Sequence, residues 1–194
     1  MSCVDMEAVA PAKNEIASTR SFGRPVTQLE DLIDAFTEFT QRAAEILMRQ
    51  NGVAGQVAIF VHTSPHRIEQ PQYSRATVVP LRRPTADTSL LVQAAVSGMR
   101  VIYLPGFNMA KAGVNLLDLT DGSIEQVELD LDAGVEDRTH LMTAMDTLNR
   151  RYGRGTVTLA SAGTTGPRRT WTMRQDLKTP DYTTCWHSMS LAIA

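Results

Sequence analysis

The chain has 194 residues, 43% of them hydrophobic and 21% charged, with a formal net charge of −2. That supports one medium or two small globular domains with modest cores, and no apolar run approaches membrane-spanning length. Cys3 and Cys185 stand at opposite ends, which gives neither a disulfide framework nor a metal spacing. With no basic segment followed by an apolar stretch at the start, the expected setting is the reducing cytoplasm, with no membrane partner. The charge is uneven. Residues 119–149 carry eight acids against one base, and residues 150–194 carry seven bases against two acids. Any contact with nucleic acid has to come from local clusters, because the global charge offers no attraction.

Residues 1–17 read as a linker, with Ala10-Pro11-Ala12-Lys13 as a breaker. Ser18 to Thr27, S-T-R-S-F-G-R-P-V-T, follows as an extended edge strand. Its short polar residues and Gly23 leave backbone N–H groups open, and Arg20 and Arg24 add charge, which suits a strand lying along a phosphate backbone. Thr27-Gln-Leu-Glu30 has the pattern of a capping box. The helix it would open carries Leu29, Leu32, Ile33, Phe36, Phe39, Ala43 and Leu47 on one face and ends at Asn51-Gly52. Gln56 to Thr63 alternates as a strand that is apolar on both sides, closed by Ser64-Pro65. Arg75 to Leu81 is a second β-rich run, in which Pro80 argues for an edge. Asp87 caps a second helix with the face Leu90, Leu91, Ala94, Ala95 and Met99, and Lys111 to Leu117 is a last strand. This order is strand, helix, strand, strand, helix, strand. Its economical packing is an α+β fold with two helices on one face of a four-stranded antiparallel sheet.

The acidic stretch 119–137 reads as an exposed linker, and the remainder, 138–194, as a small α+β module. Leu141, Met142, Met145 and Leu148 mark a short helix running to Tyr152-Gly153, and Thr156 to Ala160 a strand. Trp171 and Trp186 are either core anchors of that small module or exposed contacts for a partner.

Catalytic chemistry is hard to find. Glu30, Asp31, Asp34 and Glu38 decorate the polar face of a helix, and the acids from Asp118 to Asp137 read as a solvated run. His62 and His66 straddle a Ser-Pro turn, and His187 beside Cys185 is too sparse for zinc. Neither a G-x-S-x-G elbow nor a glycine-rich phosphate loop occurs.

The segment Ser18 to Thr27, followed in order by Thr63-Ser64-Pro65, Lys111-Ala112-Gly113-Val114, Gly153-Arg154-Gly155-Thr156 and Pro180-x-Tyr182-Thr183-Thr184, resembles the C-terminal part of Y-family translesion DNA polymerases of the UmuC (DNA polymerase V) type. The resemblance spans nearly the whole chain. It implies a βαββαβ little-finger domain over 18–118 that holds primer-template DNA, preceded by the linker 1–17 from the polymerase core. A non-catalytic fragment in SOS damage tolerance follows: the palm carboxylates that bind Mg2+ for nucleotidyl transfer have no counterpart here, so no cofactor is expected of this chain. The DNA contacts it implies fall on Arg20, Ser21, Gly23, Arg24, Thr63, Ser64 and Lys111. They would be independent of sequence, because a damaged base cannot be read by its edge.

The resemblance further implies a UmuD-type dimer and RecA as partners. It places a sliding-clamp peptide at Gln126-Val-Glu-Leu129-Asp130. Gln126 and Leu129 match that peptide, but Asp130 stands where an aromatic anchor belongs, and Leu131 would substitute only after a one-residue shift. The alternative is a protein-interaction module that docks UmuD, RecA or the clamp and barely touches DNA.

Overall fold

The computed structural model describes residues 13–122, 138–153, 155–159 and 171–172. The elements run β1 (Ile16–Val26), α1 (Leu29–Arg49), β2 (Gly52–Thr63), β3 (Ser74–Thr85), α2 (Thr88–Ile102), β4 (Met109–Asp121) and α3 (Thr139–Tyr152). The first six are the expected βαββαβ unit. All pairings are antiparallel and the spatial order is β1-β4-β2-β3, so β1 and β3 are the edges. Pro80 lies on the β3 edge opposite Gln56, where the β2–β3 register shifts.

The period-2 alternation of a strand sorts the sheet into two faces. Across the four strands, Ile16, Leu116, Val57 and Val79 form one row, and Ser18, Val114, Ile59 and Thr77 the next. These rows meet α1 and α2, which lie side by side on that face alone. Leu32, Ala35, Phe36, Phe39, Ala43 and Leu47 of α1 are buried there, as are Leu91, Val92, Ala95, Gly98, Met99 and Ile102 of α2. Leu90, expected on the inner face of α2, is 39% exposed. Leu91, Ala94, Ala95 and Met99, expected on the same face, are buried. Thr37 and Thr40, buried in the same layer, donate their hydroxyls to the carbonyls of Ile33 and Phe36 at 2.8 and 2.7 Å. That satisfies them without a long-range partner.

The two helix starts differ. Asp87 caps α2, accepting from the N–H groups of Ser89 (2.7 Å) and Leu90 (3.4 Å). The capping box at α1 does not form: Gln28 is the N-cap, with no side-chain cap bond. Thr27 instead belongs to the link with α2, its carbonyl accepting the Tyr103 hydroxyl at 2.8 Å. Several elements are longer than expected, β2 starting at Gly52, β3 running to Thr85 and β4 to Asp121. β1 begins at Ile16, a core residue, and Lys13 is already tied to Gln50 through both of its backbone groups. Gly98 explains how closely α2 approaches the sheet. A Cβ there would lie 2.9 Å from Cγ2 of Val79 and 3.0 Å from Cδ1 of Ile59.

α3 is the helix expected from Leu141 onwards, ended by Gly153 at φ 103°. The strand expected at Thr156 is not found among the described residues. Asn149 occupies both backbone groups of Val157 instead, donating to its carbonyl and accepting from its N–H at 2.9 Å each. A side chain thereby takes the place of a strand partner. Residues 123–137, and with them Gln126, Leu129 and Leu131, lie outside the described residues, as do Trp186 and the Pro180 to Thr184 motif. No helix among the described residues is long and apolar enough to cross a membrane.

Candidate nucleic-acid interface

Among the described residues, α1 and α2 pack on one face of the sheet and leave the other face without a helix layer. Three rows cross it: Ala17, Asn115, Ala58 and Val78; then Thr19, Gly113, Phe60 and Ala76; then Ser21, Lys111, His62 and Ser74. The first two are mostly small or apolar, and Val78 is 50% exposed. The third is polar in all four strands, with one fixed positive charge and one imidazole. Phe60 lies across Gly113, where a Cβ would stand 2.5 Å from its ring, and it stacks on His62 with centroids 5.9 Å apart and planes 12° off parallel. The aromatic pair thus forms a flat floor that ends in the polar row. Beyond it opens a hollow of about 420 Å³ lined by His62, Thr63, Pro65, Gln72, Tyr73 and Ser74.

The residues expected to contact phosphate separate on this frame. Ser21 and Lys111 are direct neighbours on the open face. Lys111 and Arg24 hold no ion pair among the described residues. Arg24 is exposed, in the stretch between Ser21 and Val26 where the β1–β4 register shifts. Ser64 is half-buried at the start of the β2–β3 loop, its carbonyl accepting the Arg67 N–H at 3.3 Å.

Three of the expected residues engage other groups. Arg20 shares the parity of Ile16 and Ser18, so its side chain turns to the helix side, where the guanidinium stands 3.6 Å from Glu38 of α1. Gly23 does not present a free N–H, since it donates to the Thr172 carbonyl at 3.2 Å. Thr63 is 5% exposed and closes the hairpin, its hydroxyl reaching Gln72 Oε1 at 2.9 Å and accepting the Tyr73 N–H at 3.0 Å. On β3, Arg82 is exposed and Arg83 half-buried, and both engage neighbouring groups.

Sequence reasoning missed His62, Ser74 and Phe60 as members of the face. The signal is present in β2, where Ala58, Phe60 and His62 share one parity while Val57, Ile59 and Val61 take the core. Reading that strand as apolar on both sides hides it. Among the described residues, no three His, Cys, Asp or Glu side chains come together as a metal site.

Residues 13–131 match the family model described as the impB/mucB/samB family C-terminal domain. The chain belongs to that family. Residues 139–192 match a second model, a domain of unknown function, DUF4113. Protein ImpB of Salmonella typhimurium is 35% identical over 192 residues, covering 98% of this chain and 44% of that protein. Protein UmuC of Salmonella typhimurium strain LT2 is 35% identical over 183 residues, covering 94% and 43%. The chain therefore spans less than half the length of these impB/mucB/samB relatives. Among solved structures, it is similar to a Y-family DNA polymerase chimera at a TM-score of 0.40 and 9% identity, over 59% of this chain and 31% of the other. A complex of the beta-clamp processivity factor with the little-finger domain of PolIV gives 0.39 and 11%, over 62% and 99%.

Proposed function

We propose that this chain is the DNA-holding, C-terminal part of a Y-family translesion DNA polymerase, and that it grips primer-template duplex with the open face of its sheet. The observation that carries the reading is the row Ser21, Lys111, His62 and Ser74, in register across all four strands on the face turned away from α1 and α2. Hydroxyls, an ammonium and an imidazole at strand spacing offer donors to successive phosphate oxygens, and such contacts carry no sequence information. Phe60 and Gly113 keep the centre of the face flat, so that a duplex approaches without a side chain in its way.

Family membership supplies the polymerase context. The two-metal chemistry of such an enzyme needs clustered carboxylates. The role proposed for this chain is binding, and the catalytic step is assigned to the rest of the polymerase.

The test is fluorescence anisotropy on two unrelated primer-template duplexes, titrated with salt. Lys111→Ala should reduce the slope of log affinity against log salt by about 0.9 on both duplexes, the change that follows when one phosphate is no longer neutralised. Arg20→Ala should leave that slope unchanged, because Arg20 faces Glu38. An unchanged slope for Lys111→Ala refutes the open-face reading. Salt-independent binding of the unaltered chain would favour protein docking over DNA. A loss confined to one duplex would mean base readout.

A further inference from the structure

Trp171 lies far along the chain from the sheet, in the segment matched by the second family model. From its sequence position it belongs to a separate small module or to a partner surface. Instead it is 1% exposed and belongs to the same core as α1 and the sheet. Its ring meets Phe39 edge to face, with centroids 5.8 Å apart and planes at 80°, and Phe39 meets Phe36 in the same way at 6.3 Å. The next residue bonds to β1, the Thr172 carbonyl accepting the Gly23 N–H at 3.2 Å. Gly23 sits where pairing with β4 lapses, between Ser21 and Val26. An amide without a ladder partner is satisfied there by an incoming carbonyl, and the edge strand is covered at that point.

We propose that Trp171 and Thr172 form an intramolecular strap that completes the core of the βαββαβ unit, closes the edge of β1 and withholds the Gly23 N–H from any phosphate. Two observations far apart in the sequence point to it. The buried indole supplies the holding force, since aromatic side chains bury large areas and edge-to-face pairs add to that. The backbone bond supplies the register. The segments matched by the two family models then fold as one cooperative unit, although they are expected as separable modules joined by an acidic linker. The Gly23 clause rests on the DNA-holding reading. The strap itself does not.

The experiment places a site-specific protease sequence between residues 123 and 137 of the full chain and cleaves the folded protein. The strap predicts that the two fragments co-elute in size exclusion and that the Gly23 amide stays protected from hydrogen exchange. In the cleaved Trp171→Ala protein the fragments should separate, and Gly23 exchange should rise by at least roughly tenfold. Trp171→Phe should retain both partner contacts in weakened form. A Trp171→Ala chain that fails to fold is the loss of a shared core and also supports the proposal. The cleaved unaltered protein decides independently. If its fragments separate at once and leave Gly23 as protected as before, the strap is overturned, whatever the protein does with DNA.

Discussion

Replacing Gly113 by Ala should be costly although the change is one methyl group. A Cβ at this position would lie 2.5 Å from Cε1 and 2.7 Å from Cζ of Phe60, and 2.6 Å from Cγ2 of Thr19. Carbon atoms in contact settle at roughly 3.5–4.0 Å, so the overlap is about 1 Å on two sides. β4 lies between β1 and β2 and is bonded to both, so its backbone cannot retreat. The Phe60 ring has to swing away and gives up its stack on His62. Overpacking of this kind costs about 1–3 kcal/mol. For a chain of this size that lowers the melting temperature by roughly 2–12 °C. The assay is thermal and denaturant unfolding of Gly113→Ala, Phe60→Ala and the double variant. Truncating Phe60 should relieve most of the clash, giving a coupling of at least about 1 kcal/mol, with Thr19 accounting for the remainder. A Gly113→Ala melting temperature within about 1 °C of the parent, or an equal loss in the Phe60→Ala background, would refute the geometry assigned to the open face.

Gly98→Ala should destabilise by about 1–3 kcal/mol, because the added methyl meets Val79 and Ile59 on the sheet face that α2 packs against; chemical denaturation measures it, and neutrality would mean that α2 stands further off. Asp87→Ala should cost about 0.5–2 kcal/mol through the lost cap of α2. Glu30→Ala should stay within about 0.5 kcal/mol in the same assay, since no capping box holds α1. Equal losses for the two would show that the box forms.

What was legible in the sequence is what local chemistry dictates. The stripe Leu32, Phe36, Phe39, Ala43 and Leu47, the Asp87 cap, the Pro80 edge and the alternation of β2 are written within a few residues each, and they lead to the βαββαβ order. What was not legible depends on partners far along the chain. The Thr27 carbonyl is taken by the Tyr103 hydroxyl, from beyond the end of α2. Thr63 is drawn into the hairpin by Gln72 and Tyr73, and Trp171 joins a core whose other members come before residue 117. The facing of Arg20 was legible too. Its parity with Ile16 and Ser18 already turns it toward the helices, whereas its charge suggests the other face. In the candidate site, Ser21, Arg24 and Lys111 keep positions open to a phosphate, and the polar row is completed only when the register of all four strands is known.

The most direct test of the central claim is to follow the backbone amide resonances of the full chain as primer-template duplex is added. The open-face account predicts shifts concentrated at Ser21, His62, Ser74 and Lys111, with the exposed residues of α1 and α2 undisturbed. Shifts confined to the helix side or to α3, with this row silent at saturating DNA, would contradict it.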